Sequence, residues 1–177
     1  MLPRAAGSRS SAPAETPWNT PGRCDVACSA ADLAHHFSIR RQVFVDEQRI
    51  FVASDRDDHD QDVATLHVLG RWEGRPAGAV RLYPLNRRGL WKGDRLAVLP
   101  AFRQHRLGEL LVRFAVGRAG DRGGHRMIAY IQLANVLFFE QLGWRRVGQP
   151  VEYVGLPHQQ MEIPLSRRGA GGSRYGD

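Results

Sequence analysis

The sequence predicts a mixed α/β (α+β) domain with a central, mostly antiparallel twisted sheet and flanking helices. Three observations carry that prediction. Period-two and period-3.6 apolar patterns alternate between residues 23 and 165. Two strand-like runs, 63–72 and 75–85, are separated only by Glu73-Gly74, a hairpin turn. A third stretch is apolar at 107, 110, 111, 114 and 115, the spacing of an amphipathic helix. With 177 residues the chain has room for one domain of ordinary size.

The elements follow in order. Ser29 is placed to cap a helix from Ala30 that carries Leu33, Phe37, Arg40, Arg41 and Phe44. An acidic loop spans 54–62, and after the hairpin a third strand over 90–99 ends at Pro100. The amphipathic helix starting at Leu107 ends near Gly120 or Gly123. Residues 127–133 are apolar nearly throughout, as a strand covered on both faces is. A short helix over 134–142 is closed by Gly143, and 144–154 with 159–165 make a last pair of strands.

Composition bounds the function. Hydrophobic residues make up 42% and charged residues 24%, an ordinary globular mixture. No apolar run is long enough for a membrane span, and residues 1–22 have no apolar signal-peptide segment. Two cysteines, Cys24 and Cys28, build no disulfide framework, so the expected compartment is reducing and cytoplasmic. Residues 1–22 and 166–177, rich in Pro, Ser, Gly and Arg, read as a disordered leader and tail around a domain at 23–165. The net charge of +7 sits largely in those ends: three arginines against Glu15 in 1–23, and three against Asp177 in 166–177, leave +3 for the rest. One lysine, Lys92, among 25 basic residues makes no phosphate track, so neither nucleic acid nor membrane is an expected partner. The acidic loop lacks the glycine and distal glutamate of a helix–loop–helix calcium site, and Cys24, Cys28, His35 and His36 match no common zinc spacing, so no metal is expected. Instead the loop is read as capping the next strand or presenting negative charge to a cationic acceptor.

Most of the chemistry lies in Arg95-Leu-Ala-Val-Leu-Pro-Ala-Phe-Arg103-Gln-His-Arg-Leu-Gly108-Glu109: a strand, an arginine-rich turn and the start of a helix. The unpaired N–H groups of a helix's first turn, aimed by such a turn at one point, form an anion site. Arg103, His105 and Arg106 add side-chain charge, and Gly108 allows close approach to the backbone.

This segment resembles the cofactor motif of the GNAT superfamily of N-acetyltransferases, Gln/Arg-x-x-Gly-x-Gly/Ala after a Leu-Ala-Val strand. Arg103, Leu107 and Gly108 match it, whereas Arg106 stands where the family has its first glycine. Further likenesses are Arg40-Arg-Gln-Val-Phe-Val-Asp-Glu-Gln48, Asp55-Arg-Asp-Asp-His-Asp60, Phe138-Phe-Glu-Gln-Leu-Gly-Trp144, and Gly155-Leu-Pro-His158 with Met161. The run from Tyr153 to Gln159 is also similar to the nitrogen-starvation-type acetyltransferases of nitrilase gene clusters, found in bacteria.

The resemblance implies a GNAT-like fold with a splayed strand pair at the acetyl-CoA site. Backbone groups of Leu96, Ala97 and Val98 would pair with the pantetheine arm. Those of Arg103, Gln104, His105, Arg106, Leu107, Gly108 and Glu109 would hold the pyrophosphate, with Gln132 facing the cofactor. An ammonium cannot attack a thioester, so a base must take its proton. Glu47 and His158 are the leading candidates, ahead of Asp94 and Glu152. Phe139 stands where many members have a tyrosine that protonates the departing thiolate, while Tyr130 and Tyr153 have hydroxyls to offer. The implied activity is transfer of an acetyl or short acyl group from acyl-CoA to the amine of a small molecule or peptide, with a homodimer open. The alternatives are an acyl-homoserine-lactone-synthase-like acyltransferase and a non-catalytic acyl-CoA-binding subunit.

Overall fold

The computed structural model describes residues 21–86 and 88–166, so most of the predicted leader and tail lies outside the described residues. Strand β1 (Gly22–Val26) leads into helix α1 (Ala30–Arg41), which continues as a π-helical turn, Gln42–Glu47. Strands β2 (Leu66–Trp72), β3 (Arg75–Pro84) and β4 (Leu90–Val98) follow, then helix α2 (Leu107–Asp121) and strand β5 (Arg126–Gln132). Helix α3 (Val136–Gln141) precedes β6 (Arg145–Arg146), β7 (Val151–Tyr153) and β8 (Leu156–Pro164). The sheet runs β1-β2-β3-β4-β5-β8-β6, with β7 also on β8. Every pairing is antiparallel except β4 with β5, the two strands that α2 connects as a crossover.

Local sequence explains most of these elements. The Ser29 hydroxyl accepts from the Asp32 N–H at 3.0 Å and starts α1. Asp32 in its first turn and Arg40 and Arg41 in its last suit the helix dipole. Glu73 and Gly74, at φ 47° and 78°, turn the β2–β3 hairpin in the left-handed geometry that matches strand twist. The predicted stripe on α2 is buried at Leu107, Leu111 and Ala115, packed on Val68, Val80 and Leu82 of the sheet. On the opposite face Ile39, Val43 and Phe44 pack on Leu69, Ala79 and Ala97. Among the described residues no helix is long and apolar enough to cross a membrane.

Four expectations need correction. Strand β1 was not anticipated: five residues on an edge, paired from Gly22↔Trp72 to Val26↔Val68, carry too short a pattern to announce a strand. Strand β5 is not covered on both faces, because Met127, Ala129 and Ile131 are buried while Ile128, Tyr130 and Gln132 are partly open. Residues 144–154 form two short strands, since Gly148 (φ 62°) and Pro150 interrupt them. Last, His158 does not lie in a loop. Val154 and Gly155 (φ 47° and 73°) make a tight turn, so β8 begins at Leu156 and His158 pairs with Val151 and Gln132.

Candidate active site

Strands β4 and β5 pair over three rungs only, Leu90↔Arg126, Trp91↔Met127 and Lys92↔Ile128. Beyond them β4 stays with β3 as far as Val98↔Gly78, and β5 stays with β8 as far as Gln132↔His158, so the two strands part. A bulge drives the separation: Arg81 faces Asp94 and Ala79 faces Ala97, which sets Arg95 and Leu96 together opposite Val80. Arg95 takes φ 54°, a costly angle for a side chain, and is held there by bonds from Nε to the Asp55 carbonyl (3.1 Å) and from Nη2 to Asp57 (3.2 Å). The gap widens into a cavity of about 130 Å³. Leu96 and Gln132 line its strand walls, Phe139 and Trp144 one side, and Tyr153 and His158 another.

The start of α2 lies just past the end of β4. Arg106 is the residue before its first turn, at φ 57°, and no side chain caps the helix. The backbone there thus adopts the left-handed form that a glycine takes freely. The Arg106 side chain turns along the helix to Glu109 (2.8 Å), which also accepts from Arg113 (2.9 Å), so it points along α2. At Gly108 an added Cβ would meet Phe138 and Val98 only at 3.7 and 3.8 Å, ordinary contacts. Of the other predicted donor-site residues, Gln104 is exposed and His105 stacks on Trp72 (4.4 Å, 17°).

Two contacts tie the end of the first helix to this region. Arg103 bonds the Val98 carbonyl through Nε (3.0 Å) and grips both oxygens of Glu47 at 2.7 and 2.6 Å. Gln132 donates to Gln48 at 3.3 Å. The Arg103 hydrogen bond holds the Glu47 carboxyl below its ordinary range, which makes it a weak base.

His158 is buried, and its Nδ1 lies 2.8 Å from the Leu156 carbonyl. A carbonyl only accepts, so Nδ1 is the donor, and Nε2 has no hydrogen-bond partner among the described residues. Phe139 is buried edge-on to Trp144 (5.4 Å, 85°), and Tyr130 stacks on Tyr153 (5.2 Å, 17°). Asp94 also lines the cavity, but Arg81 engages both its oxygens at 2.8 Å. Glu152 is exposed on β7. The sheet therefore gathers Leu96, Gln132, His158, Asp94, Tyr130 and Tyr153 around one cavity, places Glu47 and Arg103 together, and leaves Glu152 outside.

Sequence reasoning missed a buried ion network beside that cavity. Fully buried Arg40 bonds Asp55 (2.7 Å) and both oxygens of Asp60 (2.6 and 3.0 Å). Fully buried Arg81 bonds Asp94 and both oxygens of Asp57 (2.5 and 2.9 Å). Three acids of the loop, Asp55, Asp57 and Asp60, thus pair with arginines, while Asp58 and Asp62 stay exposed. Burial, the largest single influence, would raise the Asp60 carboxyl, but the Arg40 bond and charge, the Asp57 backbone bond and the Arg81 charge together hold it far below the usual range. The missed signal was Arg81 itself, a charge inside the otherwise apolar run 77–83 that needs an acid nearby.

His36 completes this wall, donating from Nδ1 to the Val68 carbonyl (3.0 Å) with Nε2 facing Arg40 (3.4 Å). Burial, and then the Arg40 charge, push its pKa down to about 3 from 6.5. The unfolded chain therefore binds this proton below pH 6.5 while the folded chain refuses it until about 3. Stability is full above 6.5 and falls on acidification by roughly 1.4 kcal/mol per pH unit. Thermal unfolding between pH 7 and 5 should show a clear decline that His36→Gln reduces; parallel curves would refute it.

A sheet that opens along its one parallel pair, with an uncapped helix start beside the opening, defines a receptor for an extended ligand with an anionic group. Comparison with known proteins says which kind. The model of the Acetyltransferase (GNAT) family matches residues 32–144. The chain belongs to the GNAT family of acetyltransferases and has its fold. It is 27% identical over 138 residues to the uncharacterized N-acetyltransferase YjcF of Bacillus subtilis, covering 77% of this chain and 95% of YjcF. Among solved structures it is similar to Escherichia coli ElaA, with TM-score 0.69, 21% identity, and coverage of 80% and 97% of the two chains. It is also similar to BjaI, a CoA-dependent acyl-homoserine lactone synthase, with TM-score 0.68, 19% identity, and coverage of 81% and 82%.

Proposed function

We propose that this protein transfers an acetyl or other short acyl group from acyl-CoA to the amine of a small molecule or peptide. The observation that carries the reading is the parting of β4 from β5 after the Lys92↔Ile128 rung, with the uncapped start of α2 beside it. The inner edges of both strands have no strand partner there, so an amide-bearing pantetheine arm fits between them along Leu96–Val98, and Gln132 stands opposite. The N–H groups at the start of α2, past Arg106, suit a pyrophosphate. Arg106 does not spoil that cradle, because its backbone has the glycine-like angle and its side chain goes to Glu109.

In the transfer the amine nitrogen forms a bond to the thioester carbonyl carbon, the carbon–sulfur bond breaks, and the thiolate leaves. His158 takes the amine's proton on Nε2, the nitrogen left free by the Leu156 contact. Glu47, bound at both oxygens by Arg103, instead joins the first helix to the donor turn. Phe139 has no proton to give, and Tyr153, which lines the cavity edge-on to His158 at 5.4 Å, offers a hydroxyl to the thiolate.

Calorimetry with acetyl-CoA tests the donor site, with 3′-dephospho-CoA for comparison. Micromolar binding, about −8 kcal/mol, is expected. Gly108→Trp fills the approach to α2 and should abolish binding, whereas Gly108→Ala, for which there is room, should keep it. Unchanged affinity in Gly108→Trp, or no binding by the unmodified protein, would overturn the reading.

A further inference from the structure

Lys92, the only lysine in the chain, stands on the last rung before β4 and β5 part. Its ammonium lies 5.9, 5.5 and 5.2 Å from the ring centres of Tyr83, Tyr130 and Tyr153. Those aromatic faces attract an ammonium. Tyr130 and Tyr153 also line the cavity, so the ammonium adjoins two of its lining residues, although Lys92 is not itself one of them.

The buried acids around it are already matched. Asp94, two residues along β4, gives both oxygens to Arg81. Glu162, two strands away, is held by Arg126 (3.3 Å) and Arg145 (2.5 Å). Asp55, Asp57 and Asp60 are bound to Arg40, Arg81 and Arg95. Among the described residues Lys92 has only rings for partners, which leaves a half-buried cation beside the cavity without an anion.

We infer that the amine acceptor carries a carboxylate that pairs with Lys92, which places it in the amino-acid class, with its flat or apolar part on the stacked Tyr130–Tyr153 pair. This rests on the acyltransferase reading above and adds the acceptor's chemistry. The acyl carbonyl has to lie where the strands separate, one step from Lys92, so an amine next to a carboxylate reaches both. A polyamine or aminosugar would instead bring a second cation toward Lys92 and find the nearby carboxylates taken.

The test follows thiol release from acetyl-CoA with amines that differ only in the carboxylate: phenylalanine against phenethylamine, tyrosine against tyramine, with spermidine as a polyamine. The amino acids should be preferred in kcat/KM by roughly tenfold to a hundredfold, the range of a charge-assisted bond. Lys92→Met should erase the preference and Lys92→Arg retain part of it. A binding arm needs no turnover: N-acetylphenylalanine should raise the melting temperature of the unmodified protein and not that of Lys92→Met, while N-acetylphenethylamine should affect neither. Equal use of both amines, or a preference that survives Lys92→Met, overturns the inference, as does equal stabilisation by the two acetylated compounds or none by either. Failure to bind acetyl-CoA is a separate result that removes the donor reading. Lys92→Gln provides a second neutral variant should Lys92→Met fail to fold.

Discussion

Arg81→Met should cost about 3–5 kcal/mol of stability, the penalty for removing one partner from a buried ion cluster. Arg81 is fully buried and bonds Asp94 and Asp57, with Asp60 at 3.0 Å. Without it Asp57 keeps Arg95 and Asp60 keeps Arg40, but Asp94 is left with the Tyr83 hydroxyl at 3.4 Å and Arg95 at 3.8 Å. A buried carboxylate so poorly matched must be hydrated or protonated, and either opens the sheet. In a domain of this size the loss corresponds to a fall in melting temperature of roughly 6–20 °C. The double change Arg81→Met with Asp94→Leu should recover part of it, because apolar groups replace a buried pair more cheaply than one partner is removed. A melting temperature within about 3 °C of the unmodified protein's would show that the cluster is dispensable.

His158→Ala should lower turnover by roughly 10²- to 10⁴-fold, the usual worth of a positioned base, while acetyl-CoA affinity stays the same. His158→Asn separates chemistry from architecture. Its amide can still donate to the Leu156 carbonyl as Nδ1 does, but nothing replaces Nε2. Both variants should therefore be slow and only His158→Asn close to normal stability, with added imidazole restoring part of the alanine variant's rate. Turnover within a factor of three in His158→Asn would remove His158 from the proton path.

The sequence made much of the scaffold legible, and for physical reasons. The stripe of Leu107, Leu111 and Ala115 sets a helix whatever it packs on. Glu73-Gly74 sets a hairpin because two residues between strand-like runs suffice for a tight turn and the glycine takes a positive φ freely. The strand–turn–helix from Arg95 to Glu109 was readable as an anion site because the unpaired N–H groups belong to any helix start. The sequence alone singled out Gly108, whereas Gln132 was singled out only by the family resemblance.

The rest was decided in three dimensions. Where β4 leaves β5 follows from each strand's loyalty to its other neighbour and from the bulge at Arg95, neither of which is written in a single strand. Arg40, Arg81 and the aspartates come together from α1, β3 and a loop, and residues so far apart in the chain form no local pattern. Glu47 stands in the sequence as a candidate base, and its meeting with Arg103, 56 residues away, shows it instead in an ion pair. Lys92 is one charge among 25 in the sequence, and folding pairs the buried acids near it with arginines and surrounds it with three aromatic rings. Local propensity and periodicity thus determined most of the elements and the turn before α2, while the pairing of buried charges, which depends on distance and on the exclusion of water, was settled only by the tertiary structure.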